Sequence, residues 1–313
     1  MIGIVILNFN NIDDTIKCVD SVIKFSSFED VKLFIVDNAS TEIVYEKISV
    51  YLSNLPYKYT LFDCEAETNV FNFPEITYMR NRVNLGYANG NNSALSVIKH
   101  DDDIDYIMIL NNDVLFTEPI IHPLIDYLKN NPDCGIVAPL LVGKDGKVDQ
   151  ECARMEKNHF HFLSRLPFFR DINYVKKKNK NNYIPIKLGE TKPILTQLIS
   201  GACFVISKQL FADIDFFDSR TFLYYEEDIL WKKIQKVNKQ CYVLPYISCI
   251  HLGANTTSQS SSLFIRKCHI DSMSIYLRNY SSYNILFCNF VVFAMRLILS
   301  IKKISIKYGH TIH

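Results

Sequence analysis

Residues 2–7, Ile2-Gly3-Ile4-Val5-Ile6-Leu7, decide the fold class, and Asn8-Phe9-Asn10-Asn11 follows them directly. A short, continuous apolar run bounded by polar residues is typical of a strand that is buried on both faces. A helical stripe of apolar residues follows over 13–25. A second strand is expected over 31–36, and Asp37-Asn38 ends it. The chain therefore begins as a strand–helix–strand unit.

The alternation of strands and helices continues along the chain. Further helices are expected over 42–53, from about 92 to 99, over 120–130 and from 229 onward; further strands are expected over 76–79, 106–110, 135–142, 197–206 and 242–250. Strands that alternate with helices form a mostly parallel sheet with helices on both faces. The sequence thus predicts an α/β fold. Residues 56–75 look like an irregular insertion, and the Lys- and Asn-rich stretch over 176–182 is expected to be a mobile loop.

Composition excludes several classes of protein. The chain has 313 residues, of which 48% are hydrophobic and 21% are charged, close to the globular average. These fractions exclude a disordered chain, a collagen-like chain and a coiled coil. Lys and Arg number 34 against 33 Asp and Glu, and this balance argues against a general nucleic-acid binder.

The charge is unevenly distributed along the chain. Residues 152–188 hold nine Lys and Arg against two acids, and residues 256–313 hold seven against one. A basic block is often a solvated face, but large apolar side chains interleave both of these blocks. That combination favours an anionic surface as a partner.

The nine cysteines contain no C-x-x-C pair, and strand-forming residues rather than a signal peptide open the chain. Reduced thiols in a cytoplasmic compartment are the simplest interpretation.

Three of the predicted parallel strands end in Asn or Asp: Asn8, Asp37 and Asn111–Asp113. Ligands of open parallel sheets bind outside the carboxyl ends of the strands. Asn and Asp also favour ordinary turns. In an extended segment Asn111 and Asp113 would face the same side. A carboxylate there could hold a divalent cation, and a neighbouring amide could bind a sugar hydroxyl.

Three consecutive acids, Glu226-Glu227-Asp228, follow the aromatic-rich segment 216–225. Acids in the first turn of a helix interact favourably with its dipole, which explains one or two of them. The aromatic residues suggest a further role, because they could desolvate a carboxylate and raise its pKa towards the range of a general base. His251, which ends the run 242–250, is either a structural histidine or a metal ligand.

These motifs, in this order, resemble glycosyltransferase family 2, and in particular its rhamnosyltransferase-like branch of bacterial surface-polysaccharide synthesis. The resemblance covers roughly residues 2–255 and rests on Ile4–Asn10, Val36–Ser40, Asn84–Ala88, Leu110–Asp113, Ser200–Ala202, Phe217-Asp218, Glu227-Asp228 and His251. It implies a GT-A fold and inverting transfer of a sugar from a nucleotide-diphosphate donor. The acceptor it implies is a hydroxyl group of a glycan, commonly lipid-linked.

The resemblance also implies roles for individual residues. Asp228 matches the general base; Asp113 and His251 match the site of Mg²⁺ or Mn²⁺; and Asn8, Asp37, Asn38, Asn84, Gly86, Asn111 and Gly201 match the nucleotide-sugar pocket. The chain departs from the family pattern in two places. Asn111 stands where the metal motif begins with Asp, and Leu230 stands where an acid often follows the base.

The tail is expected to contact a membrane. Residues 285–301 are apolar apart from Asn289, Arg296 and Ser300, which with Lys303 and Lys307 form one narrow helical stripe. This pattern favours a helix lying in the membrane interface over a helix docked on the protein's own core or one that spans the bilayer. Three regions are predicted: a nucleotide-sugar half over 1–118, an acceptor and catalytic half over 119–255 and an amphipathic tail over 256–313. The expected location is cytoplasmic, peripheral on the inner face of the cell membrane.

Two alternative functions remain open. A sugar-nucleotide pyrophosphorylase has a related sheet, but it needs a Gly-rich phosphate loop that Asn8–Asn11 does not provide. A non-catalytic, degenerate subunit that binds a nucleotide or a partner is suggested only by Asn111.

Overall fold

The computed structural model describes residues 1–64, 73–178, 182–253 and 262–307, with side chains as far as Ile304. Part of the predicted 56–75 insertion, Lys180 and Asn181, the side chain of Lys307 and the predicted boundary at 255/256 lie outside the described residues. All nine cysteines carry free thiols.

The first half forms the parallel part of the sheet, as the alternating pattern predicts. Its strands are β1 (Ile2–Asn8), β2 (Val31–Asn38), β3 (Tyr59–Asp63), β4 (Ile76–Asn81) and β5 (Tyr106–Asn111), and its helices are α1 (Ile12–Phe25), α2 (Glu42–Ser53) and α3 (Gly86–Ile98). These strands lie in the order β3-β4-β2-β1-β5, each parallel to its neighbours. β1 lies between two strands with its apolar side chains almost all buried, as its continuous apolar run predicts.

The second half extends the same sheet. Its strands are β6 (Val114–Phe116), β7 (Cys134–Gly143), β8 (Ala153–Arg154), β9 (Ile194–Thr196), β10 (Leu198–Ile199), β11 (Cys203–Ser207) and β12 (Gln240–His251). Its helices are α4 (Ile121–Asn130), α5 (His159–Ser164), α6 (Pro167–Arg170), α7 (Asn173–Lys178), α8 (Lys208–Asp213) and α9 (Glu226–Lys236). The sheet continues from β5 as β11-β7-β12-β6, with β11 antiparallel to both of its neighbours and β12 parallel to β7. β9 pairs with β12, while β8 and β10 form a separate ribbon.

Three local predictions need correction. The segment expected to be irregular over 56–75 contains β3, whose side chains are largely half exposed because it lies at the edge of the sheet. The single strand expected over 197–206 is two strands, β10 and β11, separated by Ser200–Ala202. Lys176–Lys178, expected to be part of a loop, ends helix α7.

The tail forms two packed helices, α10 (Ser262–Asn279) and α11 (Ile285–Lys307). One face of α11 is buried in a second apolar cluster, made of Phe162, Tyr225, Ile229, Met273, Tyr276, Leu277, Cys288, Val291 and Val292. This cluster joins the tail to α5 and to the start of α9. On this face, α11 therefore packs on the protein's own core, which was one of the alternatives to a helix in the membrane interface. Within the described residues, Ile285–Ile304 is also long and apolar enough to cross a membrane, although only 22% of it is buried.

Candidate active site

Asn8 and Asp37 lie side by side at the carboxyl ends of β1 and β2, where they are partners in the parallel register. Asn8 Nδ2 donates to Asp37 Oδ1 and to Ser40 Oγ, both at 3.2 Å. Asp37 Oδ2 is buried and accepts no hydrogen bond from the described residues; Arg80 Nε is 3.9 Å away. A buried acceptor without a donor is unfavourable, so this oxygen is suited to an N–H group of a ligand.

Asn38 organises the loop that precedes α3. Its Nδ2 donates to Asn84 Oδ1 at 3.0 Å and to the Gly86 carbonyl at 2.9 Å. Its Oδ1 accepts from Asn81 Nδ2 and from the Leu85 amide. The polar atoms of Asn38 are thus fully used inside the protein. Through these bonds Asn38 and Asn84 fix the conformation of the loop before α3.

Gly86 brings the beginning of α3 against the loop that carries the acidic residues. Its φ is +77°, and a Cβ at this position would lie 2.1 Å from the Phe222 carbonyl oxygen. The next amide, Tyr87 N, donates to that same oxygen at 2.8 Å. Only glycine allows this approach without a clash. The Tyr87 hydroxyl then donates to the Gly201 carbonyl at 2.7 Å, which ties α3 to the break between β10 and β11.

Asp113 and His251 form an ion pair at the far end of the sheet. β12 is antiparallel to β6, and this pairing brings His251 Nε2 within 3.5 Å of Asp113 Oδ2. His251 Nδ1 lies 2.9 Å from Asp149 Oδ2. The Asp113 and Asp149 carboxylates together raise the pKa of His251 to about 9. The contact with His251 in turn lowers the pKa of Asp149. These contacts favour the protonated form of the ring, and a metal ion bound at Nε2 would have to displace that proton.

The residues at this position fit a divalent cation. Asp113 is almost completely buried, and its Oδ1 has no hydrogen-bond partner among the described residues. An orphaned carboxylate oxygen beside an imidazole nitrogen is a suitable pair of ligands for Mn²⁺ or Mg²⁺. No group of three His, Cys, Asp or Glu side chains in the described part of the chain forms a complete metal site. A metal ion bound here would therefore need further ligands besides these two side chains.

The sequence predicts that Asn111 and Asp113 face the same side, on the assumption that both belong to one extended segment. The structure shows that they do not share such a segment. β5 ends at Asn111, the chain turns at Asn112-Asp113, and β6 begins at Val114. Asn112 Nδ2 is fixed by Thr15 Oγ1 at 3.0 Å. Asn111 and His251 line the cavity described below, whereas Asp113 does not line it and contacts His251.

Strained backbone precedes the acidic residues at the start of α9. Tyr224 and Tyr225 both have positive φ, 74° and 67°, a conformation that is uncommon for large side chains. Such conformations cost roughly 1–3 kcal/mol each and persist only where the surroundings enforce them. Here Tyr225 is buried in the second apolar cluster and packs on Tyr276 with ring centroids 5.5 Å apart.

Each of the three acids has a different environment. Both oxygens of Asp228 contact Lys157 Nζ, at 2.9 and 2.7 Å. Glu227 accepts from the Gly201 amide and pairs with Arg154. Glu226 Oε1 is buried and finds no donor among the described residues, and burial raises the pKa of Glu226 to about 7. The raised carboxylate pKa that the aromatic segment predicts is thus found at Glu226.

One cavity of about 780 Å³ connects these groups. Its lining includes Tyr87, Asn111, Arg154, Lys157, Arg165, Gly201, Glu226, Glu227, Asp228, His251 and His269. Of the site residues predicted from the sequence, the structure brings Asn111, Gly201, Asp228 and His251 together in the lining of this cavity. Asn8, Asp37, Asn38, Asn84, Gly86 and Asp113 do not line this cavity; Asn8 and Asp37 lie at the carboxyl ends of β1 and β2.

Lys157 and Asp149 are functional candidates that sequence reasoning missed. Lys157 belongs to the basic block, and Asp149 follows an ordinary turn, so neither has a local motif. Their partners are 71 and 102 residues away in sequence. The weak signal that exists is the basic block itself, whose interleaved apolar residues point to a packed segment.

A model of the family described as glycosyl transferase family 2 matches residues 3–214. The N-acetylglucosaminyl-diphospho-decaprenol L-rhamnosyltransferase of Mycobacterium tuberculosis is 22% identical over 217 residues, which are 66% of this chain and 68% of that protein. The low-salt glycan biosynthesis hexosyltransferase Agl10 of Haloferax volcanii is 23% identical over 55% of this chain, and the match spans about half of its length, 52%.

Solved structures share the fold. The mannosyltransferase PcManGT from Pyrobaculum calidifontis, in complex with GDP-Man and Mn²⁺, has a TM-score of 0.56 and 13% identity over 95% of this chain and 69% of its own. GalNAc-T7 with UDP, GalNAc and Mn²⁺ has a TM-score of 0.62 and 14% identity over 90% of this chain but only 48% of its own. At this identity the likeness establishes the fold alone.

Proposed function

The chain belongs to glycosyl transferase family 2, and from that premise we propose that it is an inverting, metal-dependent glycosyltransferase. It moves a sugar from a nucleotide-diphosphate donor to a hydroxyl group of a glycan acceptor in bacterial surface-polysaccharide synthesis, such as that of O-antigen or capsule. The observation that carries the proposal is one cavity lined by His251, which contacts Asp113, and by Asp228. Residues 1–118 supply the nucleotide-sugar half, residues 119–255 the acceptor and catalytic half, and residues 256–313 the tail.

The donor lies along the carboxyl edge of the sheet. Asp37 offers its unpartnered Oδ2 to an N–H group of the nucleotide base, with Asn8 beside it. Asn38, Asn84 and Gly86 hold the loop that closes on the sugar nucleotide. Asp113 and His251 would hold Mg²⁺ or Mn²⁺, and the bound ion would supply positive charge next to the leaving diphosphate. Asn111 provides a neutral amide there in place of a second carboxylate.

Asp228 removes the proton from the acceptor hydroxyl as the oxygen attacks the anomeric carbon. Direct attack on the face opposite the leaving diphosphate inverts the anomeric configuration. The ammonium group of Lys157 contacts both carboxylate oxygens of Asp228 and holds this carboxylate in place. Glu226, with its pKa near 7, is the rival base in the same cavity.

The experiment that tests this function is a panel of nucleotide sugars, assayed for nucleotide release and for binding with and without Mn²⁺ or Mg²⁺. We expect metal-dependent release of nucleotide from one donor. Nucleotide binding without turnover, even with acceptor present, would instead support the degenerate binding subunit. Release of pyrophosphate from a nucleoside triphosphate and a sugar phosphate would identify a pyrophosphorylase.

Two observations support an acceptor class: the tail, and the relative from Mycobacterium tuberculosis, whose name includes a diphospho-decaprenol carrier. We propose that this chain also uses a lipid-linked acceptor at the inner face of the cell membrane. The face of α11 opposite its buried side is apolar and exposed, and its residues recur every three or four positions: Leu286, Phe290, Phe293, Leu297, Ile301 and Ile304. The polar stripe of Asn289, Arg296, Ser300 and Lys303 runs beside it. Such a face is suited to the membrane interface.

Deleting the tail would not test this contact, because Cys288, Val291 and Val292 of α11 are core residues. Full-length protein carrying Phe293→Asn and Leu297→Asn keeps that core. We expect this variant to lose cosedimentation with vesicles that contain anionic lipid. Ile43→Asn with Val50→Asn is the matched control, because both side chains are equally apolar and exposed on α2. An equal loss of cosedimentation in both variants, or no loss in either, would refute the membrane contact.

A further inference from the structure

Three cations without acidic partners line the wall of the cavity on the side of the tail. Arg165 follows α5, Arg266 belongs to α10 and Lys302 belongs to α11, and all three line the cavity. None of them forms an ion pair with a carboxylate in the described part of the chain. The other two cations of the lining differ, because Arg154 pairs with Glu227 and Lys157 with Asp228. This wall therefore carries positive charge that no carboxylate of the described residues pairs with.

The guanidinium of Arg165 is held in place by two histidines. Arg165 Nε donates to His161 Nε2 at 3.2 Å, and Arg165 Nη1 lies 2.9 Å from His269 Nε2. Burial, followed by the charge of Arg165, lowers the pKa of His161 to about 4 and that of His269 to about 3. Both rings are neutral acceptors at neutral pH, so they orient the guanidinium without cancelling its charge. A planar, oriented guanidinium is suited to bidentate binding of phosphate.

Apolar side chains of α11 border the same wall. Met295, Ile298 and Leu299 line the cavity and lie within the two helical turns before Lys302. The opposite side of α11 carries the exposed apolar face. A ligand that enters past α11 would thus meet apolar groups and cations together. This combination matches an amphiphile whose apolar chain is joined to a strongly anionic group.

We propose that Arg165, Arg266 and Lys302 bind the diphosphate of a lipid-diphosphate-linked acceptor, while Met295, Ile298 and Leu299 contact the first part of its lipid chain. This inference rests on the proposed function and assigns the acceptor's anionic group to a specific place. The donor diphosphate occupies a different position, beside Asp113 and His251 on the β6–β12 side. With the acceptor diphosphate at the tail, its glycan extends towards Asp228.

The test measures binding of farnesyl diphosphate to the full chain by calorimetry in the presence of a metal chelator. The chelator suppresses metal-dependent diphosphate binding beside Asp113. We expect farnesyl diphosphate to bind and farnesol, which lacks the diphosphate, to bind at least tenfold more weakly. We expect Arg165→Gln to weaken farnesyl diphosphate about 10–100-fold, the loss typical of charge-assisted hydrogen bonds. Arg165→Lys should recover part of it.

Arg170→Gln is the matched control, because Arg170 is an exposed cation of α6 that does not line the cavity. Thermal unfolding of each variant checks that the fold is kept. Equal binding of farnesyl diphosphate by Arg165→Gln and wild type would overturn the proposal. So would an effect of Arg165→Gln on vesicle binding alone, because the anion would then be a phospholipid headgroup.

An assay of donor hydrolysis distinguishes failure of the acceptor-diphosphate site from failure of the proposed function. Arg165→Gln should raise the KM for a diphosphate-linked acceptor, whereas the control Arg170→Gln should leave both this KM and metal-dependent donor hydrolysis unchanged. A wild-type chain without donor hydrolysis would contradict the proposed function, and farnesyl diphosphate binding would still decide the anion site. Loss of donor hydrolysis in Arg165→Gln would place Arg165 on the donor and overturn the assignment.

Discussion

Lys157 Nζ contacts both carboxylate oxygens of Asp228, at 2.9 and 2.7 Å, so one ammonium group covers the whole carboxylate of the proposed base. Both side chains are largely buried, with 16% and 3% of their surfaces exposed. Burial lowers the pKa of Lys157, and Asp228 opposes that change. The two groups therefore depend on each other. Removing either leaves a charge in a largely desolvated site.

Lys157→Met should destabilise the protein by about 3 kcal/mol, the low end of the range for breaking a buried ion pair, since Lys157 keeps some exposure. Asp228→Asn alone should also destabilise it. The double variant should be more stable than the sum of the two losses predicts, because no unpaired charge remains. Urea unfolding of the four proteins measures this coupling. Additive losses would show that the pair contributes nothing as a pair.

Glu226 gives the stability a definite pH dependence. Burial raises the pKa of Glu226 from 4.5 to about 7; Asp228 adds to this effect and Lys157 opposes it. Between these two pH values the folded protein binds more protons than the unfolded chain. The free energy of unfolding should therefore be highest below pH 4.5, as far as this group is concerned, and fall as pH rises through 7.

Glu226→Gln should remove this dependence. Relative to wild type, its free energy of unfolding should therefore be roughly 3 kcal/mol higher at pH 8 than at pH 4.5. Glu46→Gln on α2 serves as control, because Glu46 is exposed. Urea unfolding at the two pH values decides the point. An unchanged pH slope in Glu226→Gln would mean that this carboxylate titrates normally.

A comparison of alanine variants at Gly86 and Gly146 distinguishes the cost of a steric clash from the cost of a positive φ. Both have a φ of +77°, but a Cβ at Gly86 would meet the Phe222 carbonyl, whereas a Cβ at Gly146 would meet nothing within 4 Å. Gly146→Ala should cost about 1 kcal/mol, the penalty for positive φ. Gly86→Ala should cost clearly more and also reduce transfer, because it separates α3 from the loop before α9. Equal thermal shifts for the two variants would contradict the close approach.

Asp149 should act on metal affinity through His251. It contacts Nδ1 of His251 and so orients Nε2 towards Asp113. Loss of such a partner typically weakens metal binding 10–100-fold. Asp149→Asn should therefore raise the Mn²⁺ concentration for half-maximal donor hydrolysis by about that factor while leaving the maximal rate nearly unchanged. Asp145→Asn, in the exposed turn nearby, should leave the Mn²⁺ titration unaltered; an identical shift there would point to a general electrostatic effect.

The central strands could be predicted because their environment is uniform. β1 is buried on both faces, so its apolar run is continuous and unmistakable. β3 is an edge strand, and β6 has only three residues, so neither leaves a comparable pattern. The break at Ser200–Ala202 depends on the approach of Tyr87 and Glu227 to Gly201, a contact between distant segments.

In the site, too, features with a local sequence pattern are predictable, whereas contacts between distant segments are not. Asn8, Asp37 and Asn111 end parallel strands, and the carboxyl ends of such strands converge, so their neighbourhood is predictable. The partners of Asp228 and His251 come from segments far away in sequence, and only the folded chain brings them together. The raised pKa that the aromatic segment predicts belongs to Glu226, because burial desolvates that carboxylate.

The most direct test of the account is turnover and donor binding of Asp228→Asn, with Glu226→Gln measured in parallel. General-base catalysis is typically worth ~10²–10⁴-fold, so we predict that kcat for transfer falls by that range in Asp228→Asn. We predict that the donor Kd in the presence of Mn²⁺ stays unchanged, and that Glu226→Gln keeps most of its turnover. Near-full turnover in Asp228→Asn, with the large loss in Glu226→Gln instead, would contradict the assignment of Asp228 as the base.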